Sequence, residues 1–169
     1  MQTENKRERT FSWGNPLEGA AKAMYMNGTE YLQAMTDGSL PLPPVMHTLD
    51  FHVGGLTPGS VTFVFTPQEF HYNPIGTVHG GVISAILDSA MGCSLHSLLP
   101  AGTGYTTLEL KVNFLKAVTI QSGELKAVGK VISKGSRTAL TEAQLLDNAG
   151  NIYAHAVSTC LIMQVKKPE

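Results

Sequence analysis

One stretch of this chain, Asn73 to Leu99, gathers the residue types that could do chemistry: NPIGTVHGGVISAILDSAMGCSLHSLL. Gly80 and Gly81 stand where a helix must start, and the first four N–H groups of a helix have no partner inside it. Glycines leave those groups unobstructed, so the start can donate to a carbonyl oxygen or an oxyanion. The same two glycines would also serve a tight turn into a buried helix, and on His-Gly-Gly alone the two readings weigh equally. Asp88 is the sharper signal. Val82, Ile83, Ala85, Ile86, Leu87, Ala90, Met91, Cys93, Leu95 and Leu98 occupy nearly every helical azimuth around it, and a helix apolar all round is a buried one. A carboxylate there needs a partner or a function. It is mid-helix rather than at a cap, and no Lys or Arg occurs between Tyr72 and Leu110, so function is favoured. His79, just before the helix, reads more simply as a residue that orients the turn than as a base.

Spacing adds a geometric condition. Eight residues separate Gly80 from Asp88, which is about 12 Å along a helix. An ester or thioester group is only a few Å across and cannot touch both. If the two residues act on one substrate group, they come from two copies of the helix, antiparallel across a two-fold axis. An isologous dimer supplies that arrangement, with two equivalent sites.

Other chemistries find little support. His47, His52, His71, His96 and His155 show no metal-ligand spacing. There is no G-x-S-x-G elbow, no Walker loop and no G-x-G-x-x-G after a strand. The two cysteines, Cys93 and Cys160, both fall in apolar segments and read as small core residues. No metal or organic cofactor is expected. A formal net charge of −1 carries no footprint of nucleic acid or of an anionic membrane. With 43% apolar and 15% charged residues in 169, the chain fits one globular domain with a real core. The opening MQTENKRERTFSW has basic residues but no apolar run behind them, unlike a secretory signal. No apolar stretch approaches the roughly 20 residues that span a bilayer. The expected location is the cytoplasm.

The elements that must position these residues follow from periodicity. Residues 1 to about 13 read as a loose polar end. From Asn15–Pro16 an amphipathic helical pattern carries Leu17, Ala20, Ala21 and Met24, then Tyr31, Leu32 and Met35, until Asp37–Gly38 stops it. Pro41, Pro43 and Pro44 form a stiff extended connector. Val45–Gly55 and Ser60–Pro67 read as two strands. Beyond the helix, Tyr105–Ala117 alternates, with Leu108, Leu110, Val112 and Phe114 on one face and Thr107, Glu109, Lys111 and Asn113 on the other. Further strands are expected at Glu124–Ser133, Thr138–Leu146 and, after the turn Asn148–Asn151, Ile152–Val165. Long strands with short turns argue an antiparallel sheet. The expected architecture is α+β, a sheet of five or six strands curled around one buried helix. Residues 1–40 would form an N-terminal segment with an amphipathic helix, and 41–169 the main domain.

Asn73-x-x-Gly76-x-x-His79-Gly80-Gly81 with Asp88, the strand Tyr105–Leu115 and the closing hairpin Gly150–Cys160 together resemble the hotdog-fold acyl-CoA thioesterases of the phenylacetic-acid-degradation type. The resemblance runs from the Leu40–Pro44 connector through Met163. It implies a homodimer joined sheet edge to sheet edge, commonly paired into a tetramer, acting on an acyl-CoA. It implies that Asp88 attacks the thioester carbonyl or activates the water that does, and that the Gly80 N–H of the other protomer polarises that carbonyl. Gly81 would lie at the same substrate-facing helix start. Asn73 would bind the carbonyl or position water, and His79 would fix the loop. A strand hydroxyl would assist Asp88; Thr106 and Thr107 are both available, and the strand pattern favours Thr107. Coenzyme A carries phosphates, so Lys134, Gly135, Ser136 and Arg137, a cationic turn with exposed backbone donors, would meet it, Arg137 ahead of Lys134 and Lys116. Other readings are a non-catalytic acyl-CoA binder, which would not need Asp88, and a hotdog dehydratase or hydratase, whose paired His and acid are not found here.

Overall fold

The computed structural model describes residues 6–164; Val165, the expected end of the last strand, lies outside the described residues. Six strands form one antiparallel sheet: β1 (Phe51–Thr57), β2 (Ser60–Phe65), β3 (Thr103–Phe114), β4 (Leu125–Lys134), β5 (Thr138–Asp147) and β6 (Ile152–Gln164). Their spatial order is β1-β2-β4-β5-β6-β3. The sheet wraps the long helix α4 (Gly80–His96), which packs on β2, β3, β4, β5 and β6. This is the expected α+β hotdog architecture. The core lies between them, where Ile86, Leu87, Ala90 and Met91 of α4 cluster with Val61, Phe65, Leu125, Ala143 and Leu145, and Leu95 with Leu99, Ala139 and Cys160. Burying each such large side chain contributes about 1.5–3 kcal/mol.

Only one side of α4 is used in this way. Val82, Ala85, Asp88, Ser89, Cys93 and His96 are half-buried, and Gly81 is exposed. The strand β3 is a sheet edge, so one of its two rows of backbone groups has no neighbouring strand.

Three expectations change. The single N-terminal helix is two, α1 (Pro16–Lys22) and α2 (Gly28–Thr36). The break has a local cause: Asn27 Oδ1 accepts from Glu30 N at 3.0 Å while Glu30 Oε2 accepts from Asn27 N at 3.1 Å, a reciprocal cap that restarts the helix. Second, Pro44–Leu49 forms a short helix, α3, where a connector and the beginning of a strand were expected. Proline is tolerated in the first helical turn because its missing N–H would have no partner there anyway. Asp50 then takes a left-handed conformation, φ 54°, and turns the chain into β1.

The third change is in β3. Its ladder with β6 is irregular between Thr107 and Glu109, so Leu108 is an extra, bulged residue. Leu108 is 58% exposed, whereas Leu110 and Val112 pack on the core. Strict alternation groups Leu108 with those residues and Thr107 against them; the bulge reverses both.

The N-terminal helices are docked. Gly28 N donates to Leu99 O at 2.9 Å and Thr29 Oγ1 to Ser97 O at 2.9 Å, so the donors at the start of α2 meet carbonyls at the end of α4. A Cβ at Gly28 would collide with the His96 carbonyl. Within the stretch expected to be a polar chain end, Arg9 donates to His47 O and Thr48 O at 2.6 Å each, and its guanidinium lies 4.0 Å from the Phe70 ring centre.

Candidate active site

The start of α4 is braced from within its own loop. Asn73 Oδ1 accepts from Ile75 N at 3.1 Å and Thr77 N at 3.2 Å, and its Nδ2 donates to Thr77 Oγ1 at 2.9 Å. Asn73 is thereby engaged in shaping the loop as well as lining the recess in front of the helix. His79 is the N-cap: its Nδ1 accepts from Gly81 N at 2.8 Å, while its carbonyl accepts from Val82 N at 2.9 Å and Ile83 N at 3.4 Å. Three of the four orphan donors are thus satisfied. The Gly80 N–H has no acceptor among the described residues. It borders a recess of about 320 Å³ lined by Asn73, Ile83, Phe114, Lys116 and Val118 among others. A Cβ at 80 would sit 3.1 Å from the exposed Phe114 ring, a tight contact from which the ring would have to shift.

Asp88 sits two turns along the same helix. Thr107 Oγ1 donates to Asp88 Oδ1 at 2.9 Å, a charge-assisted bond that fixes one carboxylate oxygen and leaves the other available. The β3 bulge is what aims Thr107 at α4; Thr106 is exposed. Beside this pair, burial pushes the Cys93 thiol up to about 12, with the Asp88 charge adding to the effect. Cys93 is therefore a thiol at neutral pH and no nucleophile. Burial also raises the Tyr105 hydroxyl well above its ordinary value, reinforced by Cys93 and Asp88. A Cβ at Gly92 would collide with that hydroxyl, so Gly92 is what lets Tyr105 lie across the helix. Burial holds His96 below the usual histidine range; its ring lies 5.4 Å from that of Tyr31 and 5.9 Å from that of Tyr105.

The expected site residues fall into two groups. Asn73, His79, Gly80 and Gly81 gather at the Phe114 end of β3, and Asp88 and Thr107 near its other end. Lys134, Gly135, Ser136 and Arg137 belong to the β4–β5 hairpin with the second group: Arg137 O accepts from Ile162 N at 2.8 Å, and Ile162 pairs with Tyr105. From Tyr105 to Phe114 is about 30 Å along the strand. The hairpin is thus beyond reach of its own Gly80. Lys116 stands at the Gly80 recess instead. Phe114 and Tyr105 are site residues that motif reasoning missed. The only sequence signal for Tyr105 is Gly92, a glycine inside an apolar helix, which marks a close approach.

Residues 75–156 match the model of the thioesterase superfamily. The matched segment holds the helix start, Asp88, Thr107 and the cationic hairpin; β3, β4 and β5 lie wholly within it and β6 begins in it. Two solved structures share the thioesterase architecture across most of this chain. One is a phenylacetic acid degradation-related protein of Ralstonia eutropha, named as a thioesterase, at 26% identity and a TM-score of 0.71 over 78% of this chain and 98% of that one. The other is a thioesterase family protein from Silicibacter pomeroyi, at 25% identity and a TM-score of 0.70 over 79% and 98%. An esterase-named protein of Saccharolobus solfataricus is 31% identical over 94 residues, 56% of this chain and 61% of that relative's length. No helix among the described residues is long and apolar enough to cross a membrane.

Proposed function

We propose that this thioesterase-superfamily chain hydrolyses an acyl-CoA to the free acid and CoA, at two equivalent sites each shared by two protomers. The observation that carries the reading is the division of α4. It offers an unengaged donor at Gly80 and an oriented carboxylate at Asp88, eight residues apart, about 12 Å, on a helix whose Gly81 is exposed and whose Val82, Ala85 and Asp88 are only half-buried.

In this reading two copies of β3 pair antiparallel at their free edges, as a two-fold axis requires. The Phe114 end of one then lies beside the Thr107 end of the other, bringing the partner's Gly80 to Asp88. The partner's Lys116 and this protomer's Lys134–Arg137 turn then flank the same mouth, where they would meet the CoA phosphates. The thioester carbonyl oxygen accepts from the partner's Gly80 N–H. Either Asp88 attacks the carbonyl carbon, or it takes a proton from a water that does. The electron pair of the C=O bond moves to oxygen, where the helix start stabilises it. Collapse re-forms the C=O bond and breaks the C–S bond, and the sulfur leaves with its electron pair as the CoA thiolate. In the covalent route water then cleaves the anhydride. Thr107 holds the carboxylate in line, and His79 and Asn73 hold the loop that presents Gly80.

The test is thiol release from straight-chain and aromatic acyl-CoAs by the wild type and Asp88→Asn. The variant is expected to lose about a thousandfold in kcat with an unchanged melting profile. A folded Asp88→Asn enzyme with near wild-type turnover would overturn the mechanism, and a wild type that binds acyl-CoAs without releasing thiol would overturn the activity.

A further inference from the structure

We propose that a small apolar cavity between α4, the N-terminal helices and the start of the sheet takes the far end of the acyl group and limits it to a short alkyl chain. The inference rests on the thioesterase reading above and adds the substrate class. The cavity has a volume of about 60 Å³ and is lined by Leu32, Leu42, Met46 and Phe63, with Ser89 and Cys93 of α4 as its floor. None of these presents a free polar group. Ser89 Oγ donates to Ala85 O at 2.8 Å within its own helix, and Cys93 is a neutral thiol. An apolar cavity of this kind stays dry and takes apolar guests.

Its position selects the guest. Ser89 follows Asp88 directly and Cys93 lies a turn further on, so the cavity floor is the helix face next to the carboxylate. Asp88 faces β3, while Ser89 and Cys93 face α2, α3 and β1. At 100° per residue Ala85, a small side chain, lies between these two directions, on the path an acyl chain would take from the carboxylate to the cavity. A carbonyl carbon held at Asp88 thus has an apolar end point within one helical turn. The roof comes from residues between Leu32 and Met46, outside the matched 75–156 segment.

Size sets the class. A cavity of about 150 Å³ accepts benzene. At about 60 Å³ the cavity is less than half that size, so it admits a few methylene groups and excludes a phenyl ring. The kcat/KM should therefore rise about fourfold for each methylene that enters, then level off once the cavity is full.

The experiment is kcat/KM for a straight-chain series from acetyl-CoA to octanoyl-CoA, with phenylacetyl-CoA, on the wild type, Cys93→Leu and Leu42→Ala. Cys93→Leu fills the floor and is expected to lower the ratio of the preferred chain over acetyl-CoA about tenfold. Leu42→Ala opens the roof and is expected to move the plateau to longer chains by about two carbons and to raise the relative rate on phenylacetyl-CoA. If one variant fails to fold, the other decides alone. A wild type inert on the whole series overturns the hydrolase reading. An active wild type whose chain profile neither folded variant moves, or one that prefers phenylacetyl-CoA, overturns the cavity assignment alone.

Discussion

The two ends of helix α4 that carry the proposed site are built by different means. At the donor end, the braces of the helix start itself come from within ten residues of Gly80: His79 caps the helix, Asn73 closes the loop, and His79 N donates to His71 O at 2.8 Å. Val78 N, donating to Val118 O at 2.8 Å, ties the loop to the rest of the fold. At the carboxylate end, the brace is Thr107, nineteen residues away on another element, and it reaches Asp88 only because β3 bulges. The donor end is local chemistry; the carboxylate end depends on tertiary register. Neither is complete alone, because one offers only a donor and the other only an acceptor.

That contrast can be broken at each end. Gly80→Pro removes the helix-start N–H that lacks an acceptor while keeping a residue favoured at the first helical position. Gly80→Ala, which adds the same Cβ beside Phe114 but keeps the N–H, is its control and should retain more activity. His79, with ψ of 133°, already has the extended backbone that precedes a proline. Loss of an oxyanion donor lowers kcat by about 10²–10³, and the expected result is a fall of that order with helix content preserved by circular dichroism. Thr107→Val keeps the shape and deletes only the bond to Asp88. A hydrogen bond to a charged group contributes about 1.5–3 kcal/mol, so kcat should fall by at least about tenfold while KM stays near its wild-type value. A Thr106→Val variant, altering the exposed neighbour, serves as the control and should be close to wild type.

The smallest effect expected is on stability against pH. Burial holds His71 and His96 below the usual histidine range. Protonating His71 would also cost the Gln68 N–H bond to its Nδ1. The unfolded chain therefore takes up protons near pH 6.5 that the folded chain still refuses. Stability is fully present above that pH and declines as the pH falls below it. The melting temperature should be flat from pH 8 to 7 and drop toward pH 5. His96→Phe, which removes one of the two groups, should flatten the slope, and a melting temperature that rises on acidification would contradict this.

The same contrast explains what could be read in the sequence. The helix, its glycine start and the misplaced Asp88 were legible because they are local patterns of spacing and hydropathy. So was the antiparallel sheet, whose long strands end at turn residues such as Asn148–Asn151. The bulge at Leu108 was not, because Leu108, Leu110, Val112 and Phe114 make an unbroken alternation that conceals one extra residue. Helix α3 was hidden by its prolines, which read equally as an extended connector and as a helix start. The two N-terminal helices read as one because Leu17 to Met35 keep a single apolar face, and only the Asn27–Glu30 pair marks the restart. The tail cavity was invisible, since it needs residues from Leu32 to Cys93 brought together by the fold.

The central claim is that each site takes Asp88 from one protomer and Gly80 from the other. Asp88→Asn and Gly80→Pro chains, each inactive alone, are mixed in equal amounts, unfolded and refolded together so that protomers exchange. Half of the dimers should then be mixed, and each mixed dimer has one site with both groups intact. The account predicts that thiol release returns to about one quarter of the wild-type rate. A mixture no more active than its separate components would contradict it, because the two groups would then belong to one chain.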